Sequence, residues 1–535
     1  MSLLNIHRLI YRDPSVAWDT VTAHLLAVVR HPLAPQSIRL QAARILDEIL
    51  VIVPRNLSSA GELQGQIQVR VLNVLSQQVS VGSVVDIRRT GLETLHQILQ
   101  SSAHTFVAGW ETIFDMLGSV CKPPPTAITK PLSSESGVST PSEPATPRGR
   151  LASLAIGDKS NTGLIRIAFQ SLMLVCDTLS SLSPEHIRLC ISTLGLFGRQ
   201  TDTNIALTAA ESLMWGVSDS IQSKRKDADK EPEFSALWMF LLLELLGLCT
   251  DARHEVRVGA IQTLFRSLQL YGATLSLETW DECIWKVIFP LLDSITVSVR
   301  QAGASSPIVA NITATGPGQS WDESKTLALQ SLSSIFSDFL TLKILRLSSF
   351  TDAWQTFVSH VESSFFFDSR VVSTAALRCL ERALEASKSS ATDEDLKETV
   401  SKASERAWEA CDQMGTKLSK STSTTALQSP RSDPSTDRLG MVGLVPFSQD
   451  SLLAFVDVIK KTREVSKTAG PRGIENGEPE WSLERLSQMM GILKCVITYS
   501  NSPEYRPDID SLTPVQVRRV HVSAMSSLIL TCRRR

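Results

Sequence analysis

Apolar side chains recur along most of this chain at the three- and four-residue spacing that places them on one face of an α-helix. The pattern is sharpest from Asp251 to Asp293. Its first half sets Val256, Ala260, Ile261, Leu264, Phe265 and Leu268 on one face, with Asp251 as the predicted cap and Gly272 as the predicted left-handed stop. Its second half opens with Ser276 as a cap, carries Glu278 and Asp281 near the positive helix end, and aligns Trp280, Ile284, Val287, Ile288 and Leu291. Two helices with one shared apolar side cannot bury it alone. They require further hairpins stacked against them.

The rest of the chain supplies them. Asp13 and Pro14 predict a helix start, followed by Trp18, Val21, Leu25 and Val28 on one face. After a break at residues 31–35 comes a stripe of Ile38, Ala42, Ile45, Leu46 and Ile49, which closes a hairpin by Val53. A second hairpin runs from Leu63 to Val79 and on through DIRRTGLETLHQIL, and a further helix carries Phe106, Trp110, Ile113, Phe114 and Leu117.

These helices align without gaps. Ile38-Arg39, Ile87-Arg88 and Val256-Arg257 coincide, with Leu46, Leu95 and Leu264 eight positions after each leading aliphatic residue. The same frame recovers Ile205, Ala209 and Leu213, then Ala328, Leu329 and Leu332, then Ala376, Leu377 and Leu380. A small residue in mid-helix permits close approach and the aliphatics fill the layer between hairpins. The fold class expected is all-α, a HEAT/armadillo-like helical-repeat solenoid with disordered inserted loops. The Asp251 to Arg257 interval also fits the aspartate and arginine with which HEAT repeats join successive turns, although the other copies lack the aspartate.

Composition shifts divide the chain. Residues 1–121 read as helical repeats, 122–160 as a disordered linker rich in proline, serine and threonine, 161–386 as further repeats, 387–440 as a low-complexity insertion that mixes a polar helical stretch around Trp408 with a serine- and threonine-rich tail, and 441–535 as a C-terminal helical region. The linker contains Thr140-Pro141 and Thr146-Pro147, dipeptides suited to a proline-directed kinase, though a plain flexible linker is the favoured reading because such dipeptides are common in low-complexity sequence. Residues 224–233 read as a charged loop and 301–320 as a loop of small residues. Beyond 440, Leu452 to Ile459, Trp481 to Val496 and Val515 to Leu530 restore helical periodicity.

A composition that is 43% hydrophobic and 20% charged allows a large core, and a formal net charge of -2 gives no basic excess for gripping nucleic acid. The nine cysteines form no CxxC pair and mostly lie within apolar helical patterns, as reduced core thiols would. The most membrane-like run, Phe234 to Cys249, is short for a bilayer and contains Glu244, so it reads as a buried repeat helix and any membrane contact as peripheral. The start of the chain lacks the apolar run and cleavage site of a secretory signal.

Candidate chemistry is sparse. The sequence contains no GxxxxGK[ST], HExxH or GxSxG motif, and no GxGxxG following a strand. No catalytic, cofactor-binding or metal-ligating residue is assigned. His96 and His104 read as packing or surface residues, Asp47, Glu48 and Glu93 as exposed carboxylates, and Gly470 to Gly477 as a loop. Of the ten tryptophans at 18, 110, 215, 238, 280, 285, 321, 354, 408 and 481, most read as core, with one or two left for an interface. Arg39, Arg88 and Arg257 read as bonds between neighbouring turns, and Arg533 to Arg535 as a weak attraction to an anionic surface at most. Which residues bind partners stays unknown at this stage.

Several segments together carry a family resemblance: GLETLHQILQ at 91–100, GWETIF at 109–114, SLMWGVSD at 212–219, VRVGAIQTLF at 256–265, WDECIWKVIFPLLD at 280–293, TAALRCLERALEA at 374–386 and DSLTPVQ at 510–516. They resemble the Mon-two family, which is similar to the large Sec-seven-type Arf guanine-nucleotide exchange factors but lacks their exchange domain. The resemblance covers nearly all the helical sequence. It implies a non-enzymatic scaffold, cytoplasmic and peripheral on trans-Golgi network and endosome membranes, working with a Dop-one-type protein and a Neo-one-type phospholipid flippase. A role as an indirect regulator of Arf/Arl-type GTPases is the alternative, and a nuclear transport receptor built from the same repeats is a third. The family's N-terminal helical region is missing and the sequence stops at TCRRR where family members continue, so a fragment of a longer protein is expected.

Overall fold

A computed structural model describes residues 18–55, 63–122, 148–224, 231–304, 317–366, 369–390, 393–425 and 449–469, with a few positions between 487 and 493. All regular structure among the described residues is helical. The chain forms two units, Met1–Glu244 and Leu245–Arg535.

In the first unit helices follow one another as hairpins. These are α1 (Asp19–Arg30) with α2 (Gln36–Arg55), α3 (Leu63–Val79) with α4 (Val85–Ser102), α5 (Trp110–Ser119) with α6 (Arg148–Cys176), and α7 (Pro184–Gly198) with α8 (Thr203–Ser212). A π-helical turn, Leu213–Val217, leads from α8 into α9 (Ser218–Lys224). Helices α2, α4, α6 and α8 pack in sequence as one row, while α1, α3, α5 and α7 form the other. The division between units falls within α10 (Glu231–Leu248).

The second unit repeats the scheme. It contains α11 (His254–Tyr271), α12 (Leu277–Cys283), a π turn at Ile284–Ile288, α13 (Phe289–Ala304), α14 (Pro317–Phe339), α15 (Phe350–Phe365), α16 (Arg370–Ser390), α17 (Glu394–Thr425) and α18 (Gln449–Ala469). Its tightest row is α11, α14, α16 and α18. The gapless alignment thus gathers second helices of hairpins: α2, α4, α8, α11, α14 and α16. Each unit is a stack of two-layered hairpins of the HEAT/armadillo type. Leu46, Leu95, Leu264, Leu332 and Leu380, at one frame position, are all at or below 1% exposed. Full burial of each contributes about 2 kcal/mol.

The arginines one step after the leading aliphatic share a single job. Arg39 Nε donates to the Val29 carbonyl at 2.8 Å, and Arg88 Nε to the Val79 carbonyl at 3.0 Å. Arg257 Nη1 donates to the carbonyls of Asp251 and Ala252 at 2.8 and 3.2 Å. Each guanidinium therefore serves carbonyls at the end of the helix or turn just before its own, groups that no intrahelical donor satisfies. Arg257 goes further and reaches α14 through Ser320 and Ser324. In α14 the same position is Lys325, 1% exposed, whose ammonium is pushed down to about 8, first by burial and then by Arg300, against the pull of Asp322 and Asp293.

Several local expectations change. Asp251 does not cap α11: its carboxylate accepts from the Arg253 backbone N–H at 2.8 Å and pairs with that guanidinium, so the helix begins after Arg253 and only the Asp251 carbonyl meets Arg257. The hydrogen bond from Arg253 is the chief reason the Asp251 carboxyl lies below its usual range. Gly272 is not left-handed, with φ -58°. It is small because the indole of Trp280 lies across it and donates to its carbonyl at 2.8 Å. On α1 the core face is Trp18, Thr22, Leu26 and Val29, one position round from the expected stripe, and Thr22 enters the core because its hydroxyl donates to the Trp18 carbonyl at 2.8 Å. Ile38 is 50% exposed on the first turn of α2.

Asp47 is also not an exposed carboxylate. It is buried against α3, accepting from Gln78 Nε2 at 3.0 Å, while Glu48 and Glu93 are exposed as expected. The division between units inside α10 lies within the stretch 161–386 read as one block. Helix α6 begins at Arg148, inside the expected linker, and α13 extends to Ala304, inside the expected loop. Helix α17 occupies much of 387–440, where Leu396, Val400, Ala403, Ala407, Trp408, Cys411 and Met414 are buried. The polar helical stretch expected around Trp408 is thus part of a longer helix whose core spacing is held by small alanines among polar neighbours.

The expected stops and starts at Asp13, Thr140, Thr146, Gly470 to Gly477, Trp481, Val515 to Leu530 and Arg533 to Arg535 lie outside the described residues.

Candidate partner-binding surface

The aromatic side chains sort cleanly by burial. Trp18, Trp110, Trp238, Trp280, Trp354 and Trp408 are at most 4% exposed and fill the space between hairpins, and Trp321 is half-buried under Arg257. Trp215 and Trp285 stand out at 52% and 37%. Trp215 lies at the middle of the π turn Leu213–Val217, and Trp285 is the second residue of the π turn Ile284–Ile288. Such one-residue expansions of a helix recur at functional positions, and exposed tryptophan is enriched where binding energy concentrates.

Both turns are locked by their surroundings. In the first, the Leu213 carbonyl accepts the Ser218 backbone N–H and also the Ser218 hydroxyl at 3.2 Å, with Ser218 wholly buried. In the second, the Phe289 N–H closes onto the Ile284 carbonyl, while Ile284, Val287 and Ile288 are buried beside it. The inward side chains thus fix the backbone, and the tryptophan between them faces out.

Around Trp285 the contacts form a short chain. Its Nε1 donates to Ser349 Oγ at 3.2 Å, and the Ser349 hydroxyl donates to Asp281 Oδ1. The Trp285 and Phe289 rings meet edge to face with centroids 5.3 Å apart, and Phe289 stacks on His360 at 5.6 Å. His360 Nε2 stands 3.9 Å from Asp293 Oδ1, and burial is the main cause that lowers the His360 pKa. The indole is held from both sides. Such an anchor loses little rotamer freedom when it binds.

Sequence reasoning left Trp285 outside the apolar stripe it drew through this helix, and the structure puts it on the opposite side. It did not foresee Ser349 or His360 around it, since these are brought there by α15 and its start, whereas Phe289 lies four residues further along the same helix. His96 hydrogen-bonds to Ser171 at 3.2 Å as a packing residue and His104 is exposed. Among the described residues no group of three His, Cys, Asp or Glu is placed to hold a metal ion. No described helix is long and apolar enough to cross a membrane. In α10, Glu244 pairs with Arg199 at 2.9 Å while Leu241, Leu242, Leu245 and Leu248 are fully buried.

Fold and surface together define a helical-repeat protein of the HEAT/armadillo class that displays anchored aromatic side chains. Residues 221–407 match the family described as "C-terminal region of Mon2 protein". The chain is 27% identical over 423 residues to the MON2 homolog of Drosophila melanogaster and 27% identical over 419 residues to that of Homo sapiens. These alignments cover 74% and 72% of this chain and 22% of each relative, so the chain spans under a quarter of the curated relatives it matches. The chain is thus similar to the Mon2 family over most of its length. Over a shorter stretch of 66 residues, 12% of this chain and 4% of the relative, it is 35% identical to the brefeldin A-inhibited guanine nucleotide-exchange protein 2 of Arabidopsis thaliana. Among solved structures, importin 13 in its cytosolic state matches 99% of this chain and 72% of that one with a TM-score of 0.28 and 11% identity.

Proposed function

We propose that this chain is a non-enzymatic scaffold segment in vesicle-mediated protein transport between endosomes and the trans-Golgi network, acting with a Dop-one-type protein and a Neo-one-type phospholipid flippase. The observation that carries the reading is the similarity to MON2 homologs over most of the described helices. The physics of stacked hairpins agrees with it: side chains on successive turns form a long, rigid surface on which contacts with an extended partner add up. The protein is placed on the cytoplasmic side and meets membranes peripherally. Affinity capture of the tagged chain from cells, with residues 122–150 intact, is expected to recover a Dop-one relative and a flippase. Recovery of neither from a folded helical chain would overturn the reading.

A second reading rests on the 66-residue similarity to an exchange protein: indirect regulation of an Arf/Arl-type GTPase. Under the scaffold reading, purified chain leaves nucleotide release from an Arf protein unchanged, and faster release by the chain alone would favour the alternative.

A further inference from the structure

A row at four-residue steps along α12–α13 combines apolar and acidic groups, Leu277, Asp281, Trp285, Phe289, Asp293 and Val297, with Phe289 buried and the others reaching the surface. Leu277, Trp285 and Val297 are 41%, 37% and 50% exposed, and the Asp293 side chain is 71% exposed. From Leu277 to Val297 this helix spans about 30 Å. Isolated exposed apolar residues need no explanation, but three on one stripe, with a tryptophan held in place by Ser349 and Phe289, form a preorganised contact line.

Charge selects the occupant. Between Leu277 and Val297 the chain carries Glu278, Asp281, Glu282 and Asp293 against Lys286 alone. Lys286 is already paired with Glu282 at 2.7 Å. Asp281 is met by a neutral hydroxyl from Ser349, and Asp293 faces a His360 whose burial disfavours the charged form, with the buried ammonium of Lys325 on α14 close enough to feel its charge. Arg300 lies one turn beyond the stripe. The exposed side of α12–α13 thus keeps an acidic excess that a visiting cation would meet. An anionic lipid surface would be repelled by them, and a tryptophan face attracts Lys or Arg directly.

We propose that this stripe docks a basic amphipathic helix of a partner protein, its apolar residues against Leu277, Trp285 and Val297 and its cations between Asp281 and Asp293. The complement is a helix of about five turns whose Leu and Lys or Arg alternate at four-residue spacing. This inference rests on the scaffold reading and names the chemistry of one partner segment.

The test uses the full chain and a labelled Ala-based helical peptide with alternating Leu and Lys at that spacing, together with a counterpart carrying Glu for every Lys, read by fluorescence anisotropy. The Lys peptide is expected to bind and the Glu peptide not to. Trp285→Ala and Asp293→Lys are each expected to weaken the Lys peptide at least tenfold, Trp285→Phe much less, and Asp293→Lys to gain affinity for the Glu peptide. Circular dichroism melts of the variants confirm folding, and Asp293 and Trp285 lie outside the packed core.

Equal binding by wild type and both variants, or no binding of the Lys peptide at low salt, would overturn the proposal. So would a change from dimer to monomer in light scattering with Trp285→Ala, which assigns the stripe to a second copy of the chain. Loss of binding to phosphatidylserine vesicles with the same variant would likewise overturn it, assigning the stripe to a membrane surface. If Trp285→Ala still captures all the partners of wild type from cells, this inference fails and the scaffold reading stands. Peptide discrimination without any captured trafficking partner gives the reverse.

Discussion

The Cζ of Arg257 lies over the indole of Trp321, 3.7 Å from the ring centroid, and the arginine is itself wholly buried. Its nitrogens also donate to carbonyls just after α10 and to Ser320 and Ser324 on α14. One side chain therefore joins three segments of the second unit. Burial alone disfavours its charge, which lowers its pKa, and the hydrogen bonds and the π face compensate.

Arg257→Ala is expected to cost about 3 kcal/mol, because it strips several bonds at once and leaves buried carbonyls unmet. Arg257→Lys should retain part of this, since an ammonium cannot fork between Ser324 and the Asp251 carbonyl. Arg39→Ala, which loses a single bond to Val29 at a half-buried site, should cost about 1 kcal/mol. Urea unfolding of the three variants gives the order, and hydrogen exchange should show α11 and α14 losing protection first in Arg257→Ala. Equal losses at 39 and 257 would mean the bridge to α14 contributes nothing.

Two glycines should respond to alanine with different severity. A Cβ at Gly272 would stand 2.7 Å from Trp280 Cζ2 and 3.0 Å from Phe339 Cζ, ring atoms fixed by packing and by the indole bond to the Gly272 carbonyl. The usual gain from replacing a helical glycine, up to about 1 kcal/mol, is outweighed there, and a net loss of about 2 kcal/mol is expected. At Gly195 the group met first is the Glu244 carboxylate, the end of a flexible side chain that can swing away at the expense of its pair with Arg199. That half-exposed pair is worth under about 1 kcal/mol, so Gly195→Ala should be close to neutral. Thermal melts of the two variants check the ranking.

How far the chain could be read in advance depended on what each residue's neighbours were. Helices whose core is built of large aliphatics and aromatics were legible: Phe106, Trp110, Ile113, Phe114 and Leu117 are all buried as the period demands. Helix α17 was legible only as a polar helical stretch around Trp408, because alanine and cysteine carry its core spacing and its polar residues dominate composition. On α1 the period was found but its phase slipped by one, since a threonine bonded to its own helix occupies a core position that hydrophobicity assigns to Val21. The arginine frame was visible, yet its partners are backbone carbonyls, which have no signature in sequence. For the surface around Trp285, the stripe it lies off could be drawn, but Ser349 and His360 come from a helix some 70 residues later, and only packing brings them there.

Thiol chemistry offers a direct check on the packing. Cys190, Cys249, Cys283, Cys379 and Cys411 are fully buried, and burial pushes their pKa values up, Cys411 to about 12. For Cys190 the largest cause is its hydrogen bond with Cys176, with burial second. Cys121 is half-buried, yet its thiol is also raised to about 12 by burial. The thiolate is the reactive form, so all six are expected to resist iodoacetamide at pH 8 in the folded chain and to react fully in urea. Peptide mapping by mass spectrometry distinguishes them. Rapid native labelling of Cys283 or Cys379 would contradict the packing of the second unit.

Asp47 should give the first unit a pH dependence of unusual sign. Its carboxyl is raised from 3.8 to about 6, first by burial, with Glu93 adding, while hydrogen bonds from Gln78, Thr94 and Thr90 oppose the shift. A carboxyl raised in the folded state binds its proton more tightly there than in the unfolded chain. Between about pH 4 and pH 6 the folded form therefore holds more protons, and stability falls as pH rises through that window, then levels off above it. The fall should be on the order of 2 kcal/mol. Asp47→Asn keeps the shape and removes the charge, so it should abolish this part of the slope and be more stable than wild type at pH 7 by about the same amount. Glu93→Gln should shift stability at pH 7 in the same direction, but less, because it acts only through its charge on Asp47. Urea unfolding at pH 4.5 and 7 isolates the effect as the difference between wild type and variant, since every other group titrates alike in both. Parallel wild-type and Asp47→Asn curves across that range would mean that Gln78, Thr90 and Thr94 solvate the carboxylate as well as water does.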